Sequence, residues 1–372
     1  MPPASDTPGQ LAPRHKRTVL ATITATLVVL ALVTGLSVFF LYRHLDGNIR
    51  TGAEIDHQVS KKKVDAPKQP LNLLLLGTDT RDCTGCGVDQ EAGGGLSDTT
   101  IILHVSADRQ SAVGISIPRD TLVDPVACTR NAPRAAGTEQ LQWNEAYKAG
   151  GADCTAAQVE HTFGVYIDGY LAINFGGFKD MVNAIGGVDV CIPKPLDDPK
   201  YLHVHFDAGS SVHLNGAQAL SYVRLRHVGS GTDVDRTKRQ QTFIAAMVKK
   251  VVSAGTLARP DRLYRFANAL TKSIETNPEL AKASDLVDLA EELKGTDLGH
   301  IRFITVPNHL FSPGEAGYPY VGLSPSYKGL MTRIREDRPL GPYAKGSLTA
   351  KGPKKHAGKA AKSQANAVGI CA

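Results

Sequence analysis

A cluster of arginines between Leu220 and Gln241 is the feature of this sequence best suited to chemistry. The cluster consists of Arg224, Arg226, Arg236 and Arg239, with Asp233 and Asp235 beside them. A hydrophobic core does not need so many cations, although a cluster of this kind can simply be a solvated run of charge. A guanidinium, however, binds two phosphate oxygens at once through its planar fork. The segment therefore predicts a phosphate-binding site.

The spacing within the cluster predicts which side chains act together. Arg224 and Arg226 are two residues apart in a segment that we predict to be extended, so both should point to the same side. Arg236 and Gln240 are four residues apart at the start of a predicted helix and share one face. A helix start also favours anions.

Three polar loops next to predicted strands supply further candidates. The strands are expected at 71–77, 99–105 and 111–117. Asp79 follows the first strand, Asp98 precedes the second and Arg119 follows the third. Two carboxylates near phosphates are the oxygen ligands that Mg²⁺ requires, although each Asp alone is also typical of a turn or cap. Arg119 would complete a ring of arginines around a diphosphate.

The first 45 residues predict where this site works. Residues 18–42 contain no charged side chain and are long enough to cross a bilayer. No small-residue cleavage site is evident, so we predict a retained anchor. Arg14, Lys16 and Arg17 directly precede the apolar stretch. The positive-inside rule then places residues 1–17 in the cytoplasm and the rest of the chain outside the cell membrane.

Beyond the anchor we predict an extracytoplasmic stalk at 43–69, a catalytic domain at 70–335 and a Lys-rich, disordered tail at 336–372. Alternating strand and helix patterns indicate an α/β fold, a three-layer α/β/α domain with a central mixed sheet. The formal charge of +6 arises in the termini, because residues 343–372 carry six Lys and no acidic residue. The folded part is therefore not broadly basic, and we expect no nucleic-acid partner.

Six cysteines fit an exported chain that forms disulfides. Cys83 and Cys86 lie in a Gly-rich loop with no second ligand pair nearby, which favours a local bridge over a zinc or redox site. We predict a second bridge between Cys128 and Cys154. For Cys191 and Cys371, a bridge that holds the tail and two reduced thiols both remain open.

Seven motifs in this order resemble the LytR-CpsA-Psr family of cell-wall glycopolymer transferases. They are NLLLLGTDTR, LSDTTIILHV, GISIPRDTLV, QWNEAYKAGG, FGGFKDMVNAIGGVDV, LNGAQALSYVRLR and DVDRTKRQQ. The resemblance implies transfer of a glycan phosphate from a polyprenyl-pyrophosphate carrier to peptidoglycan, typically to the 6-hydroxyl of N-acetylmuramic acid. It also implies Mg²⁺ as a cofactor.

The motif match assigns roles to individual residues. Asp79 and Asp98 would hold Mg²⁺ or support its ligands. The predicted substrate-binding residues are Arg81, Arg119, Arg224, Arg226, Arg236, Arg239 and Gln240. The predicted catalytic residues are Arg119, Arg226, Asp233 and Arg236. Either Asp233 or Asp235 could accept the proton of the attacking hydroxyl.

Two other function classes use the same residues. A pyrophosphatase would cleave the lipid diphosphate with water as the acceptor. A non-catalytic anchor would bind wall polymer, or signal its presence, without turnover.

Overall fold

The structure, a computed structural model, describes residues 13–79, 95–135, 137–226, 228, 232–252, 258–294 and 296–351. Its α-helices are α1 (Pro13–Asp46), α2 (Glu145–Phe163), α3 (Phe175–Ala184), α4 (Gly216–Arg224), α5 (Asp233–Val251), α6 (Pro260–Ser273), α7 (Ala283–Lys294) and α8 (Tyr327–Arg335). Short 3₁₀ helices cover Ala127–Thr129, Pro278–Leu280 and Gly341–Ala344.

The strands before α5 are β1 (Arg50–Thr51), β2 (Leu71–Thr78), β3 (Ser97–Val105), β4 (Ala112–Ile117), β5 (Leu122–Val123), β6 (Leu141–Gln142), β7 (Gly169–Asn174), β8 (Val188–Ile192), β9 (Leu196–Asp198), β10 (Val204–Phe206) and β11 (Gly209–Leu214). Those after it are β12 (Ile274–Thr276), β13 (Ile301–Thr305), β14 (Asn308–Leu310), β15 (Val321–Leu323) and β16 (Leu348–Thr349).

Eight strands form the central sheet in the order β1-β12-β7-β2-β3-β4-β13-β16. The sheet is mixed, because β2 is parallel to β7 but antiparallel to β3, and β4 is parallel to β13. The side chains of its strands alternate between two hydrophobic cores. Leu74 and Ile102 belong to a cluster that includes residues of α2 and α8. Leu71 and Leu103 pack instead against a cluster that includes α5. Helices thus cover both faces, which confirms the predicted α/β/α fold.

Helix α1 provides the candidate membrane span. From Thr18 to Asp46 it is long and apolar enough to cross a bilayer. The most apolar 18 residues of this helix have a mean hydropathy of 2.4, and none of them is buried against the rest of the protein. In the part of the chain that the structure describes, it is the one helix with these properties.

The segment predicted as a stalk lies against the domain instead of extending freely. Strand β1 pairs with β12 at the edge of the sheet. Further along, the carboxylate of Glu160, buried in α2, accepts hydrogen bonds from the backbone N–H groups of Gln58 and Val59 and contacts His57. A buried carboxylate needs such partners to offset its loss of hydration. These contacts fix the segment to the body of the protein.

A disulfide joins Cys128, in the first 3₁₀ helix, to Cys154 in α2. The backbone is adapted to this bridge at Gly150, where an added Cβ would lie 2.7 Å from the Cβ of Cys154. Next to it, Gly151 adopts φ +84°, which kinks α2 between its two halves. Cys191 is also disulfide-bonded, which excludes a reduced thiol there. Cys83, Cys86 and Cys371 lie outside the described residues.

Replacing Cys128 and Cys154 together by Ser is expected to lower the free energy of unfolding by about 3 kcal/mol. The bridge closes a loop of 26 residues, and its loss enlarges the unfolded ensemble. Denaturant unfolding of both proteins measures the difference. An unchanged midpoint under non-reducing conditions would contradict a structural role for this bridge.

Candidate active site

Asp98 sits at an irregularity in the pairing of β2 with β3. Thr78 pairs with Ser97 and Gly77 pairs with Thr99, so Asp98 is an extra residue in the β3 strand. A β-bulge of this kind breaks the alternation of side chains and turns one of them in a new direction. Here it directs the Asp98 carboxylate towards the arginine cluster.

Three guanidinium groups meet at a single carboxylate oxygen. Arg119 Nη1 lies 2.8 Å, Arg226 Nη2 3.3 Å and Arg236 Nη1 3.7 Å from Asp98 Oδ1. The three residues come from different elements, namely the loop after β4, the segment after α4 and the first turn of α5. The structure therefore brings together three of the arginines that the sequence assigned to one anion site.

The electrostatics of this cluster favour a further anion. Burial alone would raise the pKa of Asp98, but Arg236, Arg119 and Arg226 together hold it below its usual value. Burial lowers the pKa of Arg226 to about 10, and repulsion from Arg236 and Arg119 adds to this effect. Arg226 nevertheless keeps 43% of its side chain exposed. Arg226 therefore lies close to two other cations, and its exposed part is accessible to a negatively charged substrate group.

Asp233 links the start of α5 to the loop that carries Arg119. Its Oδ2 accepts the backbone N–H of Arg119 at 2.8 Å, and its Oδ1 forms an ion pair with Arg236. Only 5% of the Asp233 side chain and 2% of the Arg236 side chain are exposed. Both oxygens of Asp233 are therefore engaged in holding the site, which leaves it poorly placed to accept a proton from a substrate.

The backbone around Arg119 is fixed from a second direction by the QWNEAY motif. Trp143 donates its backbone N–H to Thr121 at 2.8 Å, and Asn144 donates its own to Arg119 at 3.3 Å. The indole of Trp143 is fully buried and donates to Thr100 Oγ1 of β3 at 3.1 Å. This motif therefore serves to position the loop after β4.

Two predicted substrate-binding residues of α5 lie beneath the site. Arg239 is fully buried and donates to the carbonyl of Leu225. Gln240 is also buried and donates to the carbonyl of Val223 at 3.4 Å. Both contacts fix the backbone at the end of α4, directly before Arg226. The structure therefore gives these residues a positioning role.

Arg224 corrects the prediction of an extended segment. It is the last residue of α4, because the capping box of Asn215 and Gln218 starts a helix that continues through the tyrosine and valine before it. The two arginines therefore do not share one extended strand. Its guanidinium carbon lies 4.9 Å from the centroid of the Phe175 ring at the start of α3.

Asp79 lies at the same end of the β2–β3 pair as Asp98. Its Oδ1 accepts the backbone N–H of Leu96 at 2.7 Å, and its own N–H donates to the Leu96 carbonyl. Among the described residues, no group of three or more His, Cys, Asp or Glu could hold a metal ion. Mg²⁺ needs fewer, because it takes one or two carboxylates and fills its shell with water and substrate oxygens. Asp79 and Asp98 both offer carboxylate oxygens at one end of the β2–β3 pair, which is the donor chemistry that such an ion would take.

Asp120 belongs to the site although the sequence analysis did not select it. Its Oδ1 lies 3.3 Å from Arg119 Nε, and 28% of its side chain is exposed. Burial raises the pKa of Asp120, and the nearby Asp233 adds to the rise against the opposing effect of Arg119. The sequence signal that could have identified Asp120 is its position directly after Arg119. Arg81, the remaining predicted ligand, lies outside the described residues.

Comparisons with known proteins show which proteins this chain resembles. The chain is 31% identical over 262 residues to the cell wall biosynthesis protein LcpA of Corynebacterium glutamicum, a match that covers 63% of this chain and 49% of LcpA. It is 29% identical over 258 residues to the polyisoprenyl-teichoic acid–peptidoglycan teichoic acid transferase TagV of Bacillus subtilis, covering 67% of this chain and 61% of TagV. The chain thus spans about half to three fifths of the length of these relatives.

The crystal structure of B. subtilis TagV has a similar fold. It superimposes with a TM-score of 0.55 at 25% identity and covers 73% of this chain and 99% of the crystallised one. A model of the LytR_cpsA_psr family matches residues 41–335, which include seven of the eight strands of the central sheet and every arginine of the site. Because this match extends over most of the chain, the protein belongs to the LytR_cpsA_psr family.

Proposed function

We propose that this protein is an extracytoplasmic phosphotransferase that moves a glycopolymer phosphate from a polyprenyl-pyrophosphate carrier onto peptidoglycan. The observation that carries the proposal is the convergence of Arg119, Arg226 and Arg236 on one oxygen of Asp98. Each guanidinium has about five N–H donors, so three of them around one carboxylate retain ample capacity for phosphate oxygens. The similarity to TagV, which is named as a teichoic acid transferase, supports the same chemistry.

In this proposal the arginines bind the diphosphate and stabilise the charge that develops during transfer. The acceptor hydroxyl attacks the phosphorus that bears the glycan, and the bond between that phosphorus and the bridging oxygen breaks. The bond electrons leave with polyprenyl phosphate. Phosphoryl transfer depends mainly on positioning and charge stabilisation, and the half-exposed Arg226 is the cation best placed to follow the leaving phosphate. Arg119 and Arg236 are held more rigidly and orient the group under attack.

The hydroxyl proton needs an acceptor, and we assign this role to Asp120. Asp233 has both carboxylate oxygens engaged by Arg119 and Arg236. Asp120 is more exposed and makes a single ion pair with Arg119 among the described residues. A raised pKa brings a carboxylate closer to the value that suits a general base.

Mg²⁺ is part of the proposal, with Asp79 and Asp98 as its protein ligands. When bound, the ion would neutralise charge on the diphosphate oxygens. Asp79 follows β2, and Asp98 is the second residue of its antiparallel neighbour β3, so both lie at one end of the sheet. We also propose that α1 anchors the domain outside the cell membrane. The apolar span and the cations that precede it support this proposal.

The direct test supplies the full-length protein with a lipid-linked glycopolymer and a peptidoglycan acceptor. Covalent attachment of the glycan phosphate to peptidoglycan, with release of polyprenyl phosphate, is expected. Diphosphate cleavage without attachment would indicate a pyrophosphatase. Binding without any cleavage would indicate a non-catalytic anchor.

Arg226→Ala is expected to reduce transfer by about 10²- to 10³-fold while it leaves the melting temperature nearly unchanged, because the side chain is half exposed.

Arg236→Ala should instead destabilise the fold by about 3–5 kcal/mol, since it leaves Asp233 buried without its ion pair. Transfer rates and thermal unfolding measure both effects. Arg130→Ala, in an exposed loop position, is the control and should behave like the wild type. Wild-type turnover of Arg226→Ala would rule out its proposed role.

Asp79→Asn should raise the Mg²⁺ concentration needed for activity by at least about tenfold. The Asn side-chain oxygen can still accept the Leu96 N–H, so the fold should be preserved while the charge is lost. Binding of a lipid diphosphate analogue, titrated with Mg²⁺, gives a readout that does not depend on turnover. Full activity of the wild type in excess chelator would remove the metal from the proposal.

Asp120→Asn should lower the rate by about 10²- to 10⁴-fold. In the wild type a general base must be charged, so the rate should fall as the pH decreases through the pKa of Asp120. Because that pKa is raised, the fall should begin at a higher pH than for an ordinary aspartate. Rates of both proteins across the acid range measure this, with Asp124→Asn, directly after β5, as control. An unaltered acid limb in Asp120→Asn would assign the base elsewhere.

A further inference from the structure

The end of the anchor helix α1 is bound directly to α6. His44 Nε2 lies 3.1 Å from Asn268 Oδ1, and Asn48 donates to Asn268 Oδ1 at 3.2 Å and to Thr271 Oγ1 at 3.3 Å. Leu45 between them is buried. These contacts set where α6 lies relative to the membrane that α1 is proposed to cross.

The helical rise gives the height of α6. The uncharged stretch ends at Tyr42, and His44 follows two residues later, about 3 Å further along the helix axis. The hydrocarbon core is about 30 Å thick and polar headgroups lie directly beyond it. The uncharged stretch is long enough to fill that core, so Asn268 is brought to the level of the headgroups.

The side chains of α6 suit this position. Its exposed surface carries Leu263 and Tyr264, of which 42% and 44% are exposed. Phe266 packs against a hydrophobic core cluster and so holds α6 on the domain. A surface that combines apolar and aromatic side chains with cations is typical of helices that lie in the membrane interface.

Basic residues recur along α6 and at its N-cap, and we call them the basic strip. They are Arg259, Arg262, Arg265 and Lys272, with Asp261 as the acid between them. Asp261 contacts both Arg259 and Arg265. The helix therefore keeps a clear net positive charge, which complements an anionic membrane surface.

A cleft between α3 and α6 continues this strip. Its volume is about 380 Å³, and Arg265 and Lys272 line it together with Asn183, Asn268 and Asp180. Asn268 is also the residue that contacts the anchor. A phosphodiester headgroup would find two cations and two amides there, directly beside the end of the membrane span.

We propose that α6 is an interfacial helix that binds the anionic phospholipids of the membrane that α1 crosses. Leu263 and Tyr264 insert at the interface, and Arg265 and Lys272 contact lipid phosphates in the α3–α6 cleft. This inference rests on the membrane anchoring proposed above, but not on the transfer reaction. It gives the domain a second attachment and so a fixed tilt on the bilayer.

Hydrogen exchange of the full-length protein in lipid nanodiscs tests the proposal without substrate. Discs of phosphatidylcholine alone are compared with discs that also contain phosphatidylglycerol. Exchange of the α6 amides should be at least about fivefold slower in the anionic discs. Arg265→Gln with Lys272→Gln should abolish this difference. The matched control, Lys328→Gln with Arg338→Gln, removes one exposed Lys and one exposed Arg from α8 and the chain just after it, and should retain the difference.

Equal exchange of α6 in both kinds of disc would overturn the proposal, as would an equal loss of protection in the control. Failure of the protein to enter nanodiscs would instead refute the anchoring itself. A transfer defect with normal protection of α6 would refute only the proposed activity.

Tyr264→Trp provides a second measurement that does not depend on removing charge. Trp143 is the one native tryptophan and is fully buried, so lipid-attached quenchers in the discs should affect only the new side chain. Quenching of the added fluorescence is expected when the quencher is near the headgroups. Fluorescence that is insensitive to all lipid quenchers would contradict insertion of α6.

Discussion

The organisation of this protein depends on the attraction between one buried carboxylate and three guanidinium groups. Asp98 holds Arg119, Arg226 and Arg236 at distances at which they would otherwise repel one another. The β-bulge at Asp98 is what makes this possible, since regular pairing of β2 with β3 would direct the side chain by simple alternation. Asp233 and Asp120 pair with Arg236 and Arg119, whereas Arg226 forms an ion pair with Asp98 alone among the described residues and stays partly exposed, so its remaining N–H donors can bind an anion.

A second set of polar contacts keeps the cations in place. Asp233 joins the start of α5 to the backbone of Arg119, while Arg239 and Gln240 hold the carbonyl groups that precede Arg226. Gln241 adds contacts to Ser116 of β4 and Thr305 of β13. Helix α5 therefore buries polar side chains against the carboxyl ends of the strands. Such groups are costly to bury unless they are hydrogen-bonded, and here their partners are the elements that form the site.

The connection to the anchor follows the same principle of fixing an element from several sides. Strand β1 extends the sheet, Glu160 receives the segment that follows it, and Asn268 contacts the end of α1. A freely jointed stalk would let the domain sample many orientations. The observed contacts instead relate the sheet, and hence the arginine site, to the direction of the membrane span.

The sequence by itself determined the elements with strong local signals. The apolar run of α1 and the strands around residues 71–78 and 112–117 lie within a few residues of their predicted bounds, and a helix begins close to Arg236 as predicted. Periodicity and length are local properties, which is why these elements could be predicted. The residue types of the anion site were recognisable for the same reason, since clustered arginines have few structural uses.

Tertiary structure decided which of those residues meet. Arg224 and Arg226 are neighbours in sequence, yet α4 ends between them, and Arg224 contacts the Phe175 ring whereas Arg226 contacts Asp98. Arg239 and Asp233 are as polar as Arg226, yet packing buries them and makes them supports. Asp120 joins the site only because the loop after β4 bends towards α5. The contacts of Asp98 with Arg226 and Arg236, and of Arg119 with Asp233, join residues more than 100 positions apart, and no local pattern encodes them.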